Sequence, residues 1–398
     1  MKGTKQLWIL VAVIFGLAVL QPSVATPAEK YVVFGQTEPL TGPMASMGIP
    51  NKRIVELAVE KINKEGGFKV KGETYKLKVI CEDNKGTTEG SVAANNKLVY
   101  QDRVKLVMNS LTTVCFASQV VTEPAKVINV VSGLHKDIIS AKKPYSFRHF
   151  IDTMESGPIQ VKWILKNRPD LKTCWMTAAD DASGVAGVEG WNAACKKYGI
   201  KVLGYDLISR TVTDFYPVLS KILPHNPDIL GSHSGDQGAL ILKQARERGY
   251  KGQFALPYAA SASYIKTGGA ENLAGMLHIG TDARSEKTPK GVREFHQMYI
   301  QKYSEDPGAW SAWQTTPPYL FAQALAKAGT VDDVEKIKAV LEKEWFDTPW
   351  GKVKFGGEKK YGLPHQMFHP IFISTVKDGK ITVIDRVDGE EIEKTMNE

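Results

Sequence analysis

The residues in this sequence that could do chemistry are its eight histidines, four cysteines and scattered hydroxyl side chains. A hydrolytic or transfer enzyme needs a nucleophile beside a base, paired carboxylates or a metal cluster. His365 and His369 stand at i, i+4 and could present two imidazoles from one helix face. Pro364 and Pro370 bracket them, which disfavours a regular helix there. Cys81, Cys115, Cys174 and Cys195 lack the close spacing of a zinc site or a thioredoxin-like redox motif. There is no Gly-x-Ser-x-Gly elbow and no Gly-rich loop running into Lys-Ser or Lys-Thr. The expectation is a protein that catalyses nothing and carries neither metal nor cofactor.

A different chemistry is available to it. Pro39–Gly48, Asn109–Thr113, Ser132–Lys136, Ala179–Gly184, Ser232–Gln237 and Pro257–Ser261 are rich in Ser, Thr, Gly and Ala. Small hydroxyls and bare N–H groups suit a carboxylate or another oxygen-rich head group. Ordinary strand-to-helix turns share that composition, so the meaning of these segments depends on where the elements place them.

The elements place them at one edge. From Tyr31 short β-rich runs alternate with amphipathic helical stretches: strands at Tyr31–Gln36, Tyr75–Ile80, Val104–Met108 and Val127–Val131, with helices between. Ile54, Leu57, Ala58 and Ile62 recur at helical spacing, and Gly66-Gly67 supplies the stop. The rhythm repeats with strands at Cys174–Ala178, Val202–Leu207, Asp228–Ser232 and Gln253–Pro257. Strands alternating with helices imply right-handed crossovers and a parallel sheet. Two such series imply an α/β protein of two doubly wound lobes. The hydroxyl-rich segments then lie beyond the carboxyl ends of the strands, where open parallel sheets bind ligands and helix starts present free N–H groups. Toward the end, Gly351–Phe355 and Pro370–Val376 read as strands, and Asp378-Gly379 marks a hairpin into Lys380–Ile384.

Gross features agree. Lys2 and Lys5, an apolar run from Leu7 to Leu20 and Ser23-Val24-Ala25 form the three parts of a secretory signal peptide over residues 1–25. The run is short of the roughly 20 residues that cross a bilayer. No cysteine lies near the cut to carry a lipid, so a soluble periplasmic product is expected. Cleavage leaves about 370 residues, more than one comfortable core and suited to two lobes. The net charge of +8 is spread along the chain, which does not point to nucleic acid. Export permits disulfides. Cys81 with Cys115, and Cys174 with Cys195, fall in separate lobes and either bridge within each or remain buried thiols.

Pro39-Leu40-Thr41-Gly42-Pro43 with Gly48, followed by Ile54–Gly67, resembles the opening of the periplasmic binding proteins for branched-chain amino acids and their relatives. Phe147-Arg148, Asp181-Ala182-Ser183-Gly184, Thr213-Asp214-Phe215, Gln244–Gly249, Tyr303–Pro307 and Asp347-Thr348-Pro349 fall where that family has its interior motifs. The resemblance covers nearly all the mature chain in the right order. It implies a type I binding-protein fold, two lobes joined by three crossover strands that close on a ligand. The first lobe would comprise 30–148 plus 282–344. The second would be 149–281, with the final strands from 345 to 398 returning to it. It implies as partners a small ligand and an ABC permease with ATPase subunits, the membrane being met only through the permease. A free-standing sensor that presents its ligand to a separate receptor is the alternative.

The family's ligand contacts carry over to Ser110, Leu111, Thr112 and Thr113 at a helix start, and to Ser132, Gly133, Leu134 and His135 in the next loop. Met47, Ser183, Gly235, Asp236 and Tyr258 complete the expected set. No carboxylate for an α-ammonium is evident around Tyr258-Ala259-Ala260, with Asp236 the substitute, and His135 and Lys136 stand near the carboxylate end. These departures point to an acid lacking an amine, an aromatic or short aliphatic carboxylate, with a branched-chain amino acid or amide as the other expectation.

Overall fold

A computed structural model describes residues 29–260, 262–282 and 285–398. The expected signal peptide lies outside the described residues. Six strands open the chain: β1 (Lys30–Glu38), β2 (Phe68–Val70), β3 (Glu73–Asp83), β4 (Leu106–Ser110), β5 (Ile128–Ser132) and β6 (Ser146–Arg148). Five follow: β7 (Thr173–Ala179), β8 (Lys201–Ile208), β9 (Ile229–His233), β10 (Gln253–Leu256) and β11 (Leu277–Ile279). The last are β12 (Phe346–Thr348), β13 (Gly351–Val353), β14 (Phe355–Gly356), β15 (Gln366–Met367), β16 (Ile371–Lys377) and β17 (Lys380–Val387). One sheet has the order β14-β15-β6-β5-β4-β1-β3-β2, the other β17-β16-β11-β10-β9-β7-β8. Parallel pairing runs through the middle of both sheets; antiparallel strands close both margins of the first sheet and the β17 margin of the second, while β8 ends the other margin in parallel pairing.

Strands β4, β5 and β9 are buried along their whole length because helices cover both faces, hence their short continuous apolar runs. The helices of the first lobe include α1 (Ala45–Lys64), α2 (Thr88–Asn96) and α3 (Thr112–Thr122). Those of the second are α4 (Thr153–Asn167), α5 (Ala182–Tyr198), α6 (Tyr216–Ile222), α7 (Gln237–Glu247) and α8 (Ala262–Gly268). Helices α9 (Lys290–Tyr303), α10 (Gly308–Ser311), α11 (Thr316–Ala328) and α12 (Val334–Lys343) come later. Phe295, Tyr299, Phe321, Leu325, Ile337 and Leu341 from this last group join Phe34, Ile54 and Leu106 in the first lobe's core. In the second lobe α4 and α5 pack tightly through glycine. A Cβ on Gly190 would stand 2.3 Å from the Thr153 carbonyl oxygen, so only glycine permits that approach.

The chain passes between the lobes three times: after Arg148, after Ile279 and between Met367 and Ile371. The sequence reading sent everything from 345 onward to the second lobe, and here it is corrected. Phe346, Val353, Phe355 and Met367 pack into the first lobe's core, and β15 pairs with β6. That edge of the first sheet needs apolar cover, which these residues supply before the chain returns as β16. The expected strand Gly351–Phe355 is accordingly split, β13 pairing with β12 and β14 with β15. The Asp378-Gly379 hairpin is present, both residues at positive φ as such a turn requires.

All four cysteines are free thiols, but they are not alike. Cys115 Sγ turns to the Asn109 carbonyl, 3.4 Å away. In the second lobe Cys174 on β7 and Cys195 on α5 are buried with their sulfurs 3.6 Å apart. Refolding with a small-molecule disulfide as oxidant is expected to join Cys174 to Cys195, leaving two alkylatable thiols per denatured chain. A bridge closing a loop of this size adds about 3 kcal/mol, read as a higher Tm than that of the reduced protein.

Candidate ligand site between the lobes

The first-lobe half of the site is built at the carboxyl ends of β4 and β5. Leu111 lies between β4 and α3 with φ +71° and ψ 135°, a backbone that β-carbon sterics disfavour. It acts as N-cap, and no side chain caps α3. The first N–H groups of the helix, on Thr112 and Thr113, therefore have no acceptor within the helix and carry the positive end of its dipole. Thr112 Oγ1 accepts the Leu134 N–H at 3.0 Å and so locks the β4 and β5 loops together. Thr113 is only half-buried.

The hydroxyls expected beside them face inward. Ser110 Oγ donates to the buried Glu38 carboxylate, and Ser132 Oγ accepts from Gln314 Nε2 at 3.1 Å. Gly133 is packed so closely on Ile138 that a Cβ would lie 2.2 Å from its Cδ1. Met47 occupies the first turn of α1, half-buried. His135 packs edge-on to Phe116 at 5.3 Å, and its Nδ1 accepts the Asp137 N–H at 3.1 Å. That bond leaves the proton on Nε2, and burial lowers the imidazole's pKa. Lys136, four residues beyond β5, is ion-paired with Glu189 of α5 in the second lobe.

In the second lobe the helix start is already occupied. Asp181 Oδ1 accepts the N–H groups of Ser183 and Gly184 at 3.0 and 2.9 Å, and its Oδ2 takes Arg210 Nε at 2.6 Å. Burial works to raise this carboxyl, but Arg210 and the two amides outweigh it and hold it below the ordinary range. An incoming carboxylate thus meets a filled cap at α5 and an open one at α3. Ser183 Oγ lies 3.4 Å from His233 Nε2, and burial brings that imidazole down to about 4. The His233 ring packs on Tyr258, whose hydroxyl donates to the Gly235 carbonyl at 2.9 Å. Asp236 is exposed and accepts from Ser263 Oγ at 2.9 Å.

Between these halves lies a cavity of about 10 Å³ lined by Tyr258 and Ala259 of the second lobe, Trp310 and Trp313 of the first, and Phe150, Ile151, Ile279, Gly280 and Phe372 near the crossovers. Trp313 stacks on Trp350 at 3.9 Å and 15°, and meets Phe150 edge-on at 5.2 Å. A larger groove of about 390 Å³ runs beside the second crossover, between α9–α10 and the β16–β17 hairpin. None of the residues expected from sequence lines it.

A buried knot anchors the first and third crossovers to the loop after β5. Arg148 donates from Nη2 to Asp152 Oδ2 at 2.7 Å, from Nη1 to the His135 carbonyl at 2.8 Å, and from Nε to Gln366 Oε1. Tyr361 gives its hydroxyl to the same Asp152 oxygen at 2.5 Å and lays its ring 5.2 Å from the guanidinium. His149 and His369 lie beside the knot, fully buried and pushed down in pKa, chiefly by burial. His365 is held by the Ser146 carbonyl and Glu342, so it and His369 do not act as a pair. Among the described residues no group of His, Cys, Asp and Glu could hold a metal ion.

Sequence reasoning missed Arg210, Trp310 and Trp313, and it named the Ser232–Gln237 segment without singling out His233. Arg210 follows β8, and the rule that picked out the other strand ends reaches it too. The tryptophans carry no such signal, since the fold alone brings them to the base of the cleft.

Two α/β lobes, three crossovers, an uncapped helix start and an aromatic-lined cavity between the lobes describe a two-lobed solute-binding protein. The chain matches the periplasmic binding protein family over residues 32–380, and it belongs to that family. It is 28% identical over 366 residues to the leucine-, isoleucine-, valine-, threonine- and alanine-binding protein of Pseudomonas aeruginosa, covering 89% of this chain and 92% of that one. Leu/Ile/Val-binding protein homolog 3 of Brucella melitensis is 25% identical over 323 residues, 80% of this chain and 84% of the other. Among solved structures, a solute-binding protein of an ABC transporter from Rhodopseudomonas palustris, in complex with 3,4-dihydroxybenzoic acid, superposes with TM-score 0.76. It shares 21% identity and covers 91% of this chain and 98% of its own. These relatives are binding proteins, as the sequence reading expected of this chain.

Proposed function

We propose that this protein is the extracytoplasmic solute-binding component of an ABC importer. It closes its lobes on a small carboxylate-bearing ligand and delivers it to a membrane permease. The observation that carries this reading is the uncapped start of α3, set against the filled cap of α5. One helix end accepts an anion, and the ligand's carboxylate docks on the Thr112 and Thr113 N–H groups and on the Thr113 hydroxyl, with His135 Nε2–H beside it.

The body of the ligand then points to Trp310, Trp313 and Tyr258. Their aromatic faces suit an aromatic or short aliphatic acid. The Rhodopseudomonas protein, in complex with an aromatic acid, supports that class, and the relatives named for leucine, isoleucine and valine keep branched-chain amino acids in the set. Asp181 is already committed to Arg210 and two amides, its charge neutralised by the guanidinium, which favours acids without an amine.

A thermal-shift screen of amino acids, aliphatic acids, aromatic acids and small amides tests this. A ligand at 100 times its Kd stabilises the fold by about 2.7 kcal/mol. Carboxylates lacking an amine are expected to raise Tm, and a response to leucine or valine alone would reverse the choice of class. Thr113→Ala and His135→Ala are each expected to weaken binding about tenfold or more, since a hydrogen bond to a charged group is worth about 1.5–3 kcal/mol. Unchanged affinity in both variants removes the carboxylate site.

A further inference from the structure

Glu38 ends β1, the strand beside β4, and its side chain is fully buried. One carboxyl oxygen accepts Asn51 Nδ2 at 3.1 Å together with the Ser110 hydroxyl, and the other accepts Gln36 Nε2 at 3.3 Å. Asn51 in turn accepts from Ser311 Oγ at 3.0 Å, so the acid gathers β1, β4, α1 and α10 around itself. Every one of these partners is neutral. In register beside it on β3 is Asp83, already satisfied by the Leu40 and Lys85 N–H groups and the Thr41 hydroxyl. The other ionisable groups turned toward it are the Cys81 thiol from β3 and the Cys115 thiol from α3, both pushed up by burial first and by the Glu38 charge as well. Lys52 and Glu56 of α1 stand on the Cys81 side, paired with each other at 3.5 Å. A carboxylate so placed loses water without gaining a cation, and burial raises its pKa to about 7.

What makes this acid more than a structural curiosity is the turn it holds. Ser110, its hydrogen-bond donor, is followed directly by the strained Leu111 and then by Thr112 and Thr113, whose N–H groups form the open helix start. A negative charge under the turn and a ligand's negative charge above it repel through a water-poor interior. Neutralising Glu38 removes that repulsion without breaking the network, because a protonated carboxyl still bonds Ser110 and Asn51.

We propose that Glu38 is a proton-binding positioning residue beneath the ligand turn, so that capture of an anion at the start of α3 is linked to uptake of one proton from solvent by its carboxylate. The inference rests on reading that helix start as the carboxylate site. Affinity for an anion is highest where Glu38 is protonated and falls as pH rises through neutrality, because the complex holds the proton more tightly than the free protein.

The experiment has a ligand-free arm and a binding arm. Infrared spectra of the ligand-free protein between pH 5.5 and 8.5 are expected to lose a protonated-carboxyl C=O band near pH 7. Glu38→Gln should lack that band. Calorimetric titration with benzoate, 3,4-dihydroxybenzoate and L-leucine, in two buffers of different ionisation heat, then measures the protons taken up. Wild type should take up between zero and one proton at pH 7 and bind several-fold more weakly at pH 8.5 than at pH 6. Glu38→Gln should take up none and keep the same affinity across that range. A wild-type spectrum with no titrating carboxyl overturns the inference without reference to any ligand, and so does a variant whose pH profile matches wild type. Failure of all three probes to bind at any pH overturns the proposed site and the linkage with it, while the infrared band then shows which of the two premises was at fault.

Discussion

Replacing Arg148 by methionine is expected to destabilise the protein by about 3–5 kcal/mol, one of the largest single-residue losses in the fold. The side chain is fully buried. Its guanidinium is the cationic partner of Asp152, which without it keeps only the Tyr361 hydroxyl and the Glu155 N–H. Glu155 stands close by with both carboxyl oxygens unpartnered, and burial followed by the Asp152 charge already pushes its pKa far up. An unpaired Asp152 is therefore a charge stranded in a site with no other cation bonded to it. The double variant Arg148→Met with Asp152→Asn should recover much of the loss, since it removes the stranded charge. Urea unfolding of the two variants measures the difference. Arg148 also holds the His135 carbonyl, so the single variant should bind ligand more weakly even where it stays folded.

The second large effect is expected at Trp313. This ring is buried, stacked on Trp350 and in edge contact with Phe150 and His369. Trp313→Ala should cost about 3–5 kcal/mol through lost burial and the space left behind. That space opens onto a cavity of only about 10 Å³, so the variant also changes which ligands fit. A bicyclic acid such as 2-naphthoate is expected to stabilise Trp313→Ala more than wild type, with benzoate showing the reverse order. Equal shifts for both acids in both proteins would place the ligand body elsewhere.

Much of this architecture was legible in the sequence for identifiable reasons. Parallel strands buried on both faces announce themselves as apolar runs, and helices as periodic ones, so the α/β class and the two series of elements were readable. The hairpin at Asp378-Gly379 was readable because that dipeptide tolerates positive φ. Three-residue strands were not: β2, β6 and β11 are shorter than any period that could reveal them, and two of them lead directly into crossovers. The return of the chain at 345 was misplaced for a related reason. Gly351–Phe355 alternates like one strand, and only the uncovered edge at β6 decides that its end belongs to a different sheet. Helix starts followed from strand ends, so the segments that hold Thr112, Thr113, Ser183 and Tyr258 could be placed at the carboxyl edge of the sheets. Composition could not say which hydroxyls turn inward, and Ser110 and Ser132 do so because Glu38 and Gln314 are waiting behind them.

The late return of the chain has a bearing on how such a protein comes into being. The first sheet is completed by residues 355–367 and the second by residues 371–387, although both begin far earlier. Neither half can be finished from the portion of chain synthesised first. Until the last strands arrive, each half presents an unpaired edge, and Arg148 lacks Gln366 and Tyr361. Pairings so distant along the chain form slowly. Synthesised from its amino end, the chain stays unlocked until residues 355–387 are available. The same arrangement predicts that no truncation before residue 367 leaves either lobe complete, and that none before residue 387 completes the second.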